Sequence, residues 1–144
     1  NEIIAHNGKI IDIFYNPRLN MFATISLDGL GCIYILPGKL ISIIKHPNNL
    51  YFDKIFLSSN PFPTVITFDK KSNIISSYSL SGIIINQIHL EDKDTTIKIE
   101  PMFNIYGGGN RDRIKVESNE YFEIYNLPFF DFIPTGKRKR KEKK

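Results

Sequence analysis

Ile33-Tyr34-Ile35-Leu36 is the first of three similar strings in this sequence, and the others are Ser77-Tyr78-Ser79-Leu80 and Ile124-Tyr125-Asn126-Leu127. Their tyrosines stand 44 and 47 residues apart. Around each string, short apolar runs rich in isoleucine, phenylalanine and tyrosine alternate with turn residues such as Asp28-Gly29 and Ser81-Gly82. β-Branched and aromatic side chains suit a pleated, half-buried surface, and no run of helical period exceeds about three turns. The sequence therefore predicts an all-β chain with an internal repeat.

The length of the repeat indicates the architecture. Units of about 40 to 50 residues that each hold four short strands are typical of β-propeller blades. Three such units fit the chain, at residues 6–48, 49–92 and 93–133, and the third includes strands near Thr96–Ile99 and Met102–Tyr106. Because propellers have about four to eight blades, we expect an incomplete propeller of about three four-stranded blades. Its remaining blades are expected from missing upstream sequence, and both of its end faces should be apolar and uncovered.

The composition fits one globular domain or a part of one. Of the 144 residues, 42% are hydrophobic and 24% are charged, which excludes a disordered chain, a coiled coil and a collagen. The longest apolar runs, such as Gly82–Ile85, are too short to cross a bilayer. The single cysteine, Cys32, excludes a disulfide scaffold and favours a reducing compartment. We therefore expect a cytoplasmic location.

The positive net charge is concentrated at one end of the chain. Residues 137–144 hold seven basic residues and one acid, a net charge of +6, whereas the other 136 residues carry a net charge of −2. Such a block cannot bury apolar surface, so residues 134–144 are predicted to form a disordered basic tail. It could contact an anionic partner such as a membrane surface, or act as a nuclear address. The residues expected to make that contact are Lys137, Arg138, Lys139, Arg140 and Lys141. The net negative body does not favour binding of nucleic acid.

The first unit resembles a WD40 repeat through His6-Asn7-Gly8, Ser26–Gly29 and Ile33-Tyr34. That family places a His before the first strand, a Ser or Thr in the second, an Asp in the hairpin and a Trp in the third, and the four are hydrogen-bonded in a chain. The resemblance implies a structural network in this blade, with a tyrosine in place of the tryptophan. Its members would be His6, Ser26, Asp28 and Tyr34, and Tyr78 and Tyr125 would take the aromatic position in the next two blades.

A longer resemblance, over roughly residues 6–133, is to the C-terminal propeller of BEACH-domain proteins. The similar stretches are Ser26–Gly29, Pro37–Ile41, Lys45-His46-Pro47, Ile55–Ser59, Ser76–Gly82 and Gly107-Gly108 followed by Asp112 and Ile114. The resemblance implies a cytoplasmic, non-catalytic scaffold, peripheral to membranes, that binds other proteins through its propeller rims in vesicle traffic, lysosome function or autophagy. Two alternatives stay open: a nuclear WD40 adaptor addressed by its basic tail, and a propeller hydrolase whose carboxylates the sequence does not place.

No pattern predicts a catalytic, cofactor-binding or metal site. His6, His46 and His89 lie in different segments without metal-ligand spacing, and we interpret the latter two as loop or edge residues. Cys32 lies in an apolar strand and is interpreted as a buried hydrophobic residue. Gly107–Asn110 lacks the following helix that a phosphate-binding loop requires, so we interpret it as a hairpin turn. The sequence therefore predicts a protein that binds without catalysis, cofactor or metal.

Overall fold

The computed structural model describes residues 7–90, 97–103, 111–118, 121–134 and 139–140. Within these residues the chain forms β-strands joined by turns. The described part contains no helix that is long and apolar enough to cross a membrane. Twelve of the strands build three sheets, which we call blade one, blade two and blade three, and strands that are neighbours in sequence pair antiparallel in each. The predicted all-β class with three four-stranded sheets is confirmed.

Each blade contains four consecutive strands. Blade one consists of β1 (Ile10–Asn16), β2 (Met21–Ser26), β3 (Leu30–Ile35) and β4 (Lys39–Lys45). Blade two consists of β5 (Lys54–Ser58), β6 (Thr64–Asp69), β7 (Ile74–Ser79) and β8 (Ile84–His89). Blade three consists of β9 (Lys98–Met102), β10 (Arg113–Glu117), β11 (Tyr121–Asn126) and β12 (Asp131–Phe132). A further short strand, β13 (Lys139–Arg140), pairs with the first two residues of β11.

The three tyrosines of the repeated strings occupy matching positions on the third strand of each blade. Their partners on the second strand are Phe22 for Tyr34, Val65 for Tyr78 and Ile114 for Tyr125. Because successive side chains of a strand point to opposite faces, this shared register places the tyrosines on the same face of successive blades. The repeat in the sequence is therefore a repeat in space.

Two apolar cores hold the blades together, one at each joint. The first joins Met21, Ala23, Ile25, Ile33 and Ile44 of blade one to Ile55, Leu57, Val65 and Tyr78 of blade two. The second joins Ile66, Phe68 and Ile75 of blade two to Ile99, Ile114, Val116 and Leu127 of blade three. All six residues of β6 are buried. Among the described residues, blade two thus packs against another blade on both faces, whereas blades one and three each do so on one.

The start of blade three differs from the sequence prediction. In place of strands near 96–99 and 102–106, one strand, β9, spans Lys98–Met102 and includes Pro101 opposite Ile114. Residues 104–106 lie outside the described part of the chain. β9 is the edge strand of its sheet, and an edge position tolerates a proline because its missing N–H can face away from the ladder.

Candidate functional site

Two of the four residues predicted for the blade-one network meet at the β2–β3 hairpin. The amide of Asp28 donates to Oγ of Ser26 at 3.0 Å, and the amide of Leu30 donates to Oδ1 of Asp28 at 2.9 Å. Oδ2 of Asp28 accepts from the amide of Asn7 at 2.8 Å, which attaches the segment before β1 to the hairpin. His6 lies outside the described residues.

Tyr34 has other partners. It is 2% exposed, hydrogen-bonds with Thr24 and Cys32, and stacks on Phe22 with 4.7 Å between ring centroids. Burial raises the pKa of both the Tyr34 phenol and the Cys32 thiol. The hydroxyl that bonds the aromatic side chain is therefore that of Thr24, which lies two residues before Ser26. The thiol of Cys32 is buried.

A buried histidine–aspartate pair connects blade one to blade two. Nε2 of His46 lies 2.6 Å from Oδ2 of Asp69, and the two residues are 2% and 6% exposed. The amide of Asn48 donates to Nδ1 of His46 at 3.1 Å, so Nδ1 is the acceptor and Nε2–H donates to the carboxylate. Oδ1 of Asp69 accepts from the amides of Lys71 and Ser72 and so closes the β6–β7 turn. His46 is thus a loop residue, as interpreted, but it is buried.

The remaining members of this arrangement lie directly beside the pair. Tyr78 of β7 hydrogen-bonds with Thr67 of β6 and with Ser76, and burial raises the pKa of its phenol above the usual 10.0. Blade two therefore carries a histidine before its first strand, a threonine in the second, an aspartate in the hairpin and an aromatic residue in the third. Sequence reasoning assigned this pattern to blade one. The sequence does carry a signal for this second set, because the separation of 22 residues between His6 and Asp28 recurs as 23 residues between His46 and Asp69.

Blade three is attached to blade two through the carboxylate of Asp112, which is fully buried. Its Oδ2 accepts from Oγ of Ser58 at 2.8 Å and from the amides of Ser59 and Asn60 at 3.0 and 3.2 Å. In the sequence, Asp112 is named only as part of the resemblance to BEACH-type propellers, and no role is predicted for it. In blade three itself, Oη of Tyr125 donates to Oε1 of Glu123 at 2.9 Å.

The face of blade one that points away from blade two, called the open face, is apolar. By register it contains Ile13, Tyr15, Phe22, Thr24, Leu30, Cys32, Tyr34, Leu40 and Ile43, with Lys45 at the end of β4. Ile13 is 60% exposed, Tyr15 is 50% and Ile43 is 49%. Thr24, Cys32 and Tyr34 in the centre of this face are buried, so its exposed apolar side chains lie on the two outer strands, β1 and β4. Exposed apolar surface of this kind marks interaction sites.

The face of blade three that points away from blade two, called the charged face, has a different chemistry. Lys98 of β9 lies opposite Glu117 of β10, and Glu100 lies opposite Lys115. The ammonium of Lys115 also lies 4.8 Å from the ring centroid of Phe122. The prediction that both end faces are apolar is therefore correct for blade one and wrong for blade three, because alternate positions of β9 and β10 carry charges.

Other predicted residues lie apart from these surfaces. His89 is exposed on β8. Of the five tail residues, Lys139 and Arg140 form β13, and Lys137, Arg138 and Lys141 lie outside the described residues, so the disorder of the tail stays a prediction. Within the described ranges, no three His, Cys, Asp or Glu side chains lie close enough together to hold a metal ion.

The architecture has close counterparts among solved structures. Hsv2 from Kluyvelomyces marxianus superimposes with a TM-score of 0.66 at 13% identity, over 96% of this chain and 46% of that one. BamB from Moraxella catarrhalis gives 0.64 at 10% identity, over 86% and 36%. The Dos1 propeller gives 0.54 at 17% identity, over 88% and 34%. No protein-family model and no curated protein sequence matches the chain.

The fold is a β-propeller. All three similar structures are propellers, and this chain spans less than half the length of each. With three blades, it is an incomplete one, as predicted. Identities of 10 to 17% establish the shared fold alone.

Proposed function

We propose that this chain is a non-catalytic protein-interaction scaffold, and that blade one binds a further β-blade through its open face. The observation that carries the proposal is the set of exposed apolar side chains on the outer strands of that face, with Ile13 and Tyr15 on β1 and Ile43 on β4 each about half exposed or more. Burial of apolar surface contributes about 25 cal/mol for each Å² removed from water. A covering partner therefore stabilises this face, which cannot be covered by blades two and three.

The equivalent joint within the chain indicates what kind of partner fits. Thr24 and Tyr34 on the open face correspond in register to Thr67 and Tyr78 of blade two. Tyr78 belongs to the core that blade two forms with blade one, and blade one supplies small and branched apolar side chains there. The occupant of the open face is thus a four-stranded blade that presents a similar apolar surface.

Site-specific photo-crosslinking tests this proposal. A photoreactive amino acid at position 13 should crosslink to an apolar strand of another blade, because the open face is covered in the working assembly. The same group at position 115, on the charged face, is the matched control. Efficient crosslinking at 115 together with none at 13 would show that the open face is not the docking surface.

We further propose that the scaffold belongs to the WD40 propellers of BEACH-type proteins, and that it acts at the cytoplasmic side of vesicles. Support comes from the Ser26–Gly29 and Ser76–Gly82 motifs and from a tail that carries a net charge of +6, which suits an anionic leaflet. A fluorescent fusion at the protein's native length should decorate vesicles, and removal of residues 134–144 should weaken that signal. Nuclear accumulation that depends on the tail favours the nuclear adaptor instead.

A further inference from the structure

A cavity of about 200 Å³ lies where the first strands of the three blades end, between the β1–β2 hairpin, the β5–β6 loop and the end of β9. Phe14 and Phe103 form its aromatic wall, and Tyr15 also lines it. Pro17 and Arg18 of the hairpin and Ser59 of the loop line the rest. The cavity therefore combines residues from all three blades at one rim of the propeller, which we call the hairpin rim.

Several contacts hold these walls in place. The ring of Phe14 lies 5.6 Å from the rings of both Phe56 and Phe103. Oδ1 of the buried Asn16 accepts from the amide of Arg18 at 2.9 Å, and its Nδ2 donates to the carbonyl of Leu57 at 2.8 Å. The hairpin that carries Arg18 is thus tied to blade two. A site that is preorganised in this way loses less entropy when it binds.

The size and lining of the cavity restrict what it can hold. An apolar cavity of about 150 Å³ accepts a benzene ring, whereas sites for drug-sized ligands are usually about 300 to 1,000 Å³. A volume of about 200 Å³ lined by the rings of Phe14 and Phe103 therefore suits a single aromatic or branched aliphatic side chain. Such a side chain reaches the rim as part of a peptide segment.

The charges at the hairpin rim favour an acidic segment. Arg18 is exposed, and its guanidinium has no ion pair with any described residue. Lys39, Arg111 and Arg113 are also exposed where strands begin or end at this rim, against one exposed acid, Asp131. Complementary charge steers a partner to its site and sets its register.

We propose that this cavity binds one aromatic or branched aliphatic side chain of an acidic peptide segment in a partner protein, with a carboxylate of that segment paired to Arg18. The inference rests on the proposed scaffold function and adds the class of partner and its site. The apolar side chain supplies most of the affinity because it is buried, and the carboxylate selects the segment.

The probe is a fluorescein-labelled pentapeptide with one central phenylalanine between four acidic residues, and binding to the full chain is followed by fluorescence anisotropy. Replacing that phenylalanine by alanine should weaken binding about tenfold or more, since burial of such a ring contributes about 1.5–3 kcal/mol. The variant Arg18→Glu should weaken it about tenfold because attraction becomes repulsion. The matched control is Lys54→Glu, which makes the same charge change at an exposed lysine where β5 begins, at the opposite rim, and should have less than about a twofold effect.

Three results overturn the proposal: equal binding of the alanine peptide, equal weakening by Lys54→Glu and Arg18→Glu, or equal binding of a peptide whose acidic residues are replaced by serine. The first result would show that the cavity does not bind the phenylalanine side chain. The second would show that the peptide responds only to the overall charge of the protein, and the third that the segment need not be acidic. Should the peptide fail while position 13 still crosslinks to another blade, the cavity assignment falls and the scaffold stands. If crosslinking at position 13 is lost while the peptide still binds, the docking of a blade on the open face falls and the cavity assignment stands.

Discussion

The two end blades share one strand plan, yet their uncovered faces differ. The open face of blade one carries Ile13 and Ile43, about half exposed or more, and Lys45 at the end of β4 is the charged residue that the register places there. The charged face of blade three sets Lys98 against Glu117 and Glu100 against Lys115, and such cross-strand pairs are compatible with water. The repeat therefore determines the shape of each blade, and the residues at alternate strand positions determine which face needs a partner.

The comparison requires that blade three be fixed against blade two, so the largest expected effect is at that joint. Asp112→Ala should lower the free energy of unfolding by about 3 kcal/mol, because it leaves the Ser58 hydroxyl and the amides of Ser59 and Asn60 without their buried acceptor. Urea unfolding followed by tyrosine fluorescence measures the change. Asp131→Ala removes an exposed carboxylate of the same blade and should cost less than about 0.5 kcal/mol; similar losses in both variants would contradict the assigned joint.

Exchanging the chemistry of the two faces tests the comparison directly. Ile13→Lys should weaken self-association of the isolated chain about tenfold, since the lost burial of one isoleucine is worth about 1.5–3 kcal/mol. Lys115→Ile should strengthen it, because it makes the charged face more apolar. Sedimentation velocity over a concentration series measures both. A wild-type chain that stays monomeric and melts cooperatively at every concentration would show that the open face needs no cover.

The matched tyrosines sharpen the comparison through pH. Burial raises the pKa of Tyr78, in the covered joint, and of Tyr34, on the open face, above the usual 10.0. The folded state therefore favours the neutral phenols, so their contribution to stability is complete below pH 10 and is lost as the pH rises through the folded-state pKa. Tyr78→Phe should lower the free energy of unfolding by about 1 kcal/mol at pH 7 and should reduce the further loss that occurs as the pH rises above 10. If the melting temperature falls as steeply with pH in this variant as in the wild type, Tyr78 is excluded as a source of the pH dependence.

The smallest effect is expected on the charged face. Lys98→Ala removes the exposed residue opposite Glu117 and should change the free energy of unfolding by less than about 0.5 kcal/mol, because charges at the surface are screened by solvent. Thermal melts of the variant and the wild type check this in 50 mM and 500 mM salt, which lie below and above the physiological ionic strength of about 0.15 M. A loss comparable to that of Asp112→Ala would mean that the face is packed against another surface.

The repeat could be found in the sequence because Tyr34, Tyr78 and Tyr125 take the same register in their sheets, so spacing along the chain becomes spacing between blades. The charged residues at alternate positions of β9 and β10 can also be read from the sequence. They predict a charged outer face only once it is known which side of blade three packs against blade two.

The joints were harder to predict because their partners are far apart in sequence. His46 pairs with Asp69, and Asp112 accepts from residues 52 to 54 positions earlier. Such contacts exist only once two blades are stacked, and a histidine before a proline has the local signature of an exposed loop. The cavity around Phe14 and Arg18 likewise combines segments of three blades, so no single stretch of sequence carries it.

Hydroxyl-radical footprinting of the protein isolated from cells with its native partners tests the central claim most directly. It compares two isoleucines of similar exposure in this chain: Ile13 on the open face, 60% exposed, and Ile83 in the β7–β8 turn, 67% exposed. If another blade covers the open face, Ile13 is protected from oxidation while Ile83 is oxidised. Equal oxidation of the two side chains would contradict the account.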